Sequence, residues 1–135
     1  MPENIDDPIT MYIIVREELG MGVGKIAAQC CHACQAVLLH YFKAQIIGAK
    51  LHGLPTNESE QVKTTTDWLA NGSRKITLKA NEKEWLALKN EFSKIVFIIS
   101  DNGLTQLKPN TETCMAFSPM RKSLVSKNVK KLQCL

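Results

Sequence analysis

The chain has 135 residues, a hydrophobic fraction of 44%, and 17 Lys and Arg against 13 Asp and Glu, for a net charge of +4. That length argues for one domain with a real hydrophobic core, and the apolar, weakly charged composition excludes a mostly disordered chain. No apolar run approaches the roughly 18 residues of a membrane span, and residues 1–7 carry neither the basic region nor the apolar stretch of a secretory signal, so the expectation is a cytoplasmic protein with no membrane partner.

Residues 1–10 read as a disordered leader. Met11 to Val15 is a continuous apolar run, which suggests a strand buried on both faces. Glu17 to Gly24 holds glycines at 20, 22 and 24 and forms a tight connection. A helix is predicted from near Val23 towards Gly48, because Ile26, Ala27, Cys30, Cys34, Val37, Leu38 and Tyr41 recur at helical spacing. Residues 49–62 read as a loop and Thr64 to Leu69 as a short helix stopped at Asn71-Gly72, so that about 49–67 is an excursion within one domain. Arg74 to Ala80 alternates like a strand, and Asn81 with Glu84 forms a capping box for a helix presenting Trp85, Leu88 and Phe92. Lys94 to Ser100 is the strongest strand signal. Asp101-Asn102-Gly103 and Pro109-Asn110 are turns, Thr113 to Phe117 a further strand, and a helix is expected from about Pro119 to Asn128. Val129 to Leu135 reads as an edge strand or a loose tail. Strands alternating with helices argue for a three-layer α/β domain over 11–135. The short link between the third and fourth strands points to an antiparallel pair.

Charge is unevenly spread. Residues 1–18 hold five acids and one base, and the remainder carries a balance of +8. Arg121 to Lys131 holds five bases and no acid. A basic main body favours polyanionic partners.

The segment Gly20-Met21-Gly22-Val23-Gly24-Lys25 fits neither nucleotide fingerprint. A Walker A loop fails at Leu19 and Ile26, and the dinucleotide pattern fails at Lys25. What remains is a lysine delivered to a helix N-terminus, where free N–H groups and the helix dipole favour a phosphate or an oxyanion. Lys25, Gln29 and His32 form one polar stripe, either a solvated face or the lining of a cleft. Cys30-Cys31-His32-x-Cys34 offers zinc donors, but only Cys30 and Cys34 share a helix face well, so packing of small side chains against the sheet is the favoured reading. Asp101 follows the strongest strand at its C-terminal end, the edge where open α/β sheets bind ligands. If the first and third strands are parallel, Lys25 reaches the same edge and keeps the carboxylate ionised. The alternative for Asp101 is a turn residue capping its own backbone.

Leu19-Gly20-Met21-Gly22 followed by Gly24-Lys25-Ile26-Ala27-Ala28-Gln29-Cys30-Cys31-His32-Ala33 resembles the signature of the archaeal and eukaryotic-type (type 2) peptidyl-tRNA hydrolases. Asp101-Asn102-Gly103-Leu104-Thr105-Gln106, then Pro109-x-Thr111, resembles the family's second motif. The resemblance implies a three-layer α/β/α sandwich around a four-stranded mixed sheet. It implies hydrolysis of the ester joining a peptide, or an N-blocked amino acid, to the terminal ribose of tRNA, with no metal and no organic cofactor. Catalysis then falls to Lys25, Asp101, Thr105 and Thr113, with Gly22, Gly24, Gln29, His32 and Gln106 as substrate-binding positions. The implied partner is the acceptor arm of tRNA, and a homodimer is compatible with the chain. Departures are Cys31 for a usual serine, Leu104 for a usual arginine, Ser100 and Asn102 beside the aspartate, and Asn110 for a turn glycine. Loss of a cation at 104 bears on tRNA affinity more than on ester chemistry. Two other functions fit the sequence, a non-catalytic RNA-binding relative and a protein-interaction module.

Overall fold

The computed structural model describes residues 6–47, 56–92, 96–103 and 107–135. The first apolar run becomes strand β1 (Ile9–Arg16), whose residues are buried on both faces up to Val15. Helix α1 (Val23–Ile47) follows, then α2 (Thr56–Ala70), β2 (Lys75–Ala80), α3 (Glu82–Glu91), β3 (Val96–Ser100), β4 (Glu112–Phe117), β5 (Met120–Arg121), α4 (Lys127–Lys130) and β6 (Gln133–Cys134). The sheet runs β3-β4-β1-β2-β6, with β5 pairing to β1. β1 and β2 are parallel; β4 is antiparallel to both β1 and β3. The sheet is therefore mixed, its four longer strands edged by two-residue additions, and β1 and β3 point the same way.

Alternation along β1 splits the core in two. Met11, Ile13 and Val15 pack with Ala33, Val37 and Tyr41 of α1 and Trp68 of α2. Tyr12 and Ile14 pack on the opposite face with Trp85 and Leu88 of α3, Phe117 of β4 and Val129 of α4. Two helical layers thus sandwich the sheet. The expected capping box is present: the Asn81 side chain accepts from Glu84 N, and Glu84 accepts from Asn81 N.

Three expectations require correction. Residues 7–10, expected as part of a disordered leader, are ordered: Ile9 and Thr10 pair with Arg121 and Met120, and the Asp7 carboxylate accepts hydrogen bonds from Ser123 N and Oγ, both at 2.8 Å; residues 1–5 lie outside the described residues. The helix expected from Pro119 to Asn128 is instead β5, a 3-10 turn over 122–124, and the single turn α4. Pairing with β1 claims the backbone of Met120 and Arg121, so a helix starts only after Ser126, whose side chain caps it. Helix α2 begins at Thr56 rather than Thr64. Its threonines are poor helix formers, but Thr64, Thr65 and Thr66 donate back to the carbonyls four residues earlier, and burial of Trp68 anchors the helix. Residues 49–55 of the expected excursion lie outside the described residues.

Candidate active site

The parallel relation of β1 and β3 sends both chains out at one edge of the sheet. Beyond β1, Gly20 adopts a left-handed turn (φ 61°) that ends the short 3-10 segment over 17–19. Three residues later α1 begins, so Lys25 lies in its first turn, beside backbone N–H groups without intrahelical acceptors. Gly22 and Gly24 are exposed there, with nothing within 4 Å of where a Cβ would stand.

Beyond β3, Asp101 occupies the first turn position. Its backbone is fixed on both sides: Asp101 N donates to Thr111 O at 2.8 Å, and Asn110 N donates to Asp101 O at 2.7 Å. Asn110 takes the left-handed conformation, φ 65°, that a glycine would supply. Gly103 is also left-handed, φ 76°, and a Cβ there would fall 2.5 Å from Pro109 Cγ. Asp101 is 4% exposed.

Lys25 and Asp101 meet. Lys25 Nζ donates to Asp101 Oδ1 as a part-buried ion pair. Asp101 Oδ2 accepts from Gly103 N at 2.7 Å. The two readings of the aspartate, ion-paired group and turn cap, are therefore realised together, one on each oxygen. The Lys25 hydrogen bond, joined by that from Gly103 N, holds the carboxyl below the usual carboxylate range despite the opposing effect of burial. Each oxygen keeps lone-pair capacity for a further donor such as water.

A second polar pair lies one turn along α1. The Thr113 hydroxyl donates to Gln29 Oε1 at 2.6 Å, with Ile99 O 3.2 Å away. Gln29 is 6% exposed and Thr113 fully buried. Gln29 also reaches β4 through its carbonyl, which accepts from Cys114 Sγ at 3.2 Å. The polar stripe of α1 is thus divided. Lys25 and Gln29 turn to the sheet, whereas His32 is exposed and makes no hydrogen bond among the described residues. Thr105 and Gln106, with Leu104, lie outside the described residues.

Cys30, Cys34 and Cys114 pack in the core, whereas Cys31 and Cys134 are exposed. Burial raises the Cys30 and Cys34 thiols and pushes Cys114 up to about 12. Among the described residues, no cluster of three or more His, Cys, Asp or Glu is placed to hold a metal ion. What sequence reasoning missed is the clamp around Asp101, formed by Gly103, Asn110 and Thr111. The Asp-x-Gly spacing carried the Gly103 contact as an Asx turn; the link to Thr111 had no local signal.

A helix terminus that favours anions, a lysine and an ionised aspartate thus meet at the carboxyl edge of the mixed sheet of a three-layer α/β protein. The family model described as Peptidyl-tRNA hydrolase PTH2 matches residues 9–135, and the chain belongs to that family. It is 31% identical over 121 residues to a peptidyl-tRNA hydrolase of Saccharolobus islandicus, covering 87% of this chain and 91% of that protein. It is 34% identical over 119 residues to one from Methanopyrus kandleri, covering 85% and 88%. A probable peptidyl-tRNA hydrolase 2 of Dictyostelium discoideum is 34% identical over 125 residues, which are 90% of this chain and 52% of that longer protein.

Proposed function

We propose that the protein hydrolyses the ester between a peptide, or an N-blocked amino acid, and the 3′-terminal ribose of tRNA, releasing free tRNA in the cytoplasm. The observation that carries this reading is the Lys25–Asp101 ion pair at the carboxyl edge of β1 and β3. A water held by Asp101 attacks the ester carbonyl. The developing oxyanion draws the Lys25 ammonium and the first-turn N–H groups of α1 towards it. A carboxylate held below its usual range is a weak base. As Lys25 shifts from Asp101 to the oxyanion, that restraint is relieved and Asp101 takes the water's proton. The proton then passes to the departing ribose oxygen, and no covalent intermediate or cofactor is needed.

Thr113 acts through position: it holds Gln29 and the end of β3, and so the approach of α1 to Asp101. Thr105 and Gln106 are assigned to substrate contact by their place in the second motif, as are Gly22, Gly24 and His32 by theirs in the first. The basic main body holds the acceptor arm through phosphate and ribose rather than bases.

The test is release of N-acetylated amino acid from N-acetylaminoacyl-tRNA. Wild-type protein is expected to turn over, and Lys25→Ala and Asp101→Asn each to lose about 10²–10⁴ in rate. Retained tRNA binding with no wild-type turnover would make the protein a non-catalytic RNA-binding relative. Turnover that survives both substitutions would remove the pair from the mechanism.

A further inference from the structure

A second cavity lies on the opposite face of the sheet from Lys25 and Asp101. It has a volume of about 280 Å³ and is walled by Tyr12, Leu78, Val125 and Val129. Its charged lining residues are Lys122 and Lys130, both exposed. The walls come from β1, β2 and the turn that carries α4, the stretch in which the sequence concentrates five bases and no acid.

Three polar groups here lack partners. Tyr12 is 6% exposed, yet its hydroxyl makes no hydrogen bond among the described residues. Neither lysine side chain makes a hydrogen bond or ion pair among them. Asp7 feels the charge of Lys122, but its carboxylate is engaged by Ser123 N and Oγ. The Tyr12 side chain is packed but its hydroxyl is not sealed off, so it is free to donate to a group that enters the cavity. Burial also raises the Tyr12 phenol above its usual value, so it remains a proton donor.

From this arrangement we propose that the cavity binds a small soluble ligand with an aliphatic body and a carboxylate head. The aliphatic walls take the body by apolar burial. One carboxylate oxygen accepts from the Tyr12 hydroxyl, and the other meets the Lys122 and Lys130 ammoniums, a charge-assisted arrangement. The volume sits near the lower end of ligand pockets, about 300–1,000 Å³, which favours a short chain over a drug-sized body. The site is separate from the proposed hydrolytic centre, and neither depends on the other.

The full chain, labelled with ¹⁵N, would be titrated with monomeric decanoate and, separately, decyltrimethylammonium and tRNA. Decanoate is expected to saturate one site, with amide shifts centred on Leu78 and Val129. The double variant Lys122→Ala/Lys130→Ala should weaken it about tenfold or more, and Tyr12→Phe, which keeps the ring and its packing, several-fold. The proposal is overturned by any of three results. One is equal binding of the cationic amphiphile. Another is undiminished decanoate affinity in the double variant. The third is no decanoate binding while tRNA shifts the same amides, which would make the patch an RNA contact.

Discussion

The two faces of the sheet solve different problems. Beneath α1 the packing admits polar side chains and satisfies them across long sequence separations: Gln29 with Thr113, Tyr41 with Ser118 at 2.7 Å, and Lys25 with Asp101. Beneath α3 the packing is built on Trp85, Leu88, Met115 and Phe117, and the buried Trp85 indole N–H has no partner among the described residues. The first face uses hydrogen bonds to fix where charged groups stand. The second supplies apolar burial. Changes to the first should therefore be read in turnover as well as stability, and changes to the second in stability without a change in turnover.

Gly103→Ala tests the first face hardest. The new Cβ would meet Pro109 in a left-handed turn, a strain of about 1–3 kcal/mol, and the Asp101 carboxylate would lose the register of its Gly103 N–H. Loss of turnover beyond what a stability-matched variant shows is the expected result; normal kinetics would separate the turn from the chemistry. Thr113→Val removes the donor to a nearly buried Gln29 and should cost about 1–3 kcal/mol in urea unfolding. A neutral result would mean that Gln29 finds another partner.

The two tryptophans sharpen the comparison. The Trp68 indole donates to Arg74 O at 2.7 Å, whereas that of Trp85 donates to nothing among the described residues. Trp68→Phe should therefore cost about 1 kcal/mol more than Trp85→Phe, since it alone breaks a hydrogen bond; equal costs in denaturant melts would break the contrast. Trp85→Phe should leave turnover unchanged. The smallest effect is pH. The Asp101 pKa is lower folded than unfolded, so its stabilisation is fully present above the unfolded value, about 3.9, and is lost as pH falls through the folded one. Between about pH 7 and pH 5 its contribution should be flat, and Asp101→Asn should reduce the acid sensitivity of unfolding below about pH 4.

Most of the architecture was legible because strong local signals agreed with the tertiary outcome. Continuous burial marked β1, alternation marked β2, and Asn81 with Glu84 marked the start of α3. Legibility failed where a distant partner decided. Met120 and Arg121 look like the approach to a helix until Ile9 and Thr10 claim them as a strand. Residues 56–62 look like loop, yet they form the first turns of α2, and Thr64, Thr65 and Thr66 donate back to their carbonyls at 60, 61 and 62. At the site, the sequence brought Lys25 and Asp101 to one edge only on the condition that β1 and β3 run parallel, a relation supplied by the pairing of both with β4. The division of the α1 stripe was not readable, because whether Gln29 faces the sheet depends on Thr113, which stands 84 residues away.

The reciprocal backbone hydrogen bonds between Asp101 and the Asn110–Thr111 pair carry one more consequence. They staple residue 101 to residues 110 and 111, so the backbone of Asp101 is fixed whatever residues stand between 103 and 107. Sequence drift such as Leu104, or even a short affinity tag spliced between Gly103 and Leu107, should leave that carboxylate aimed at its lysine.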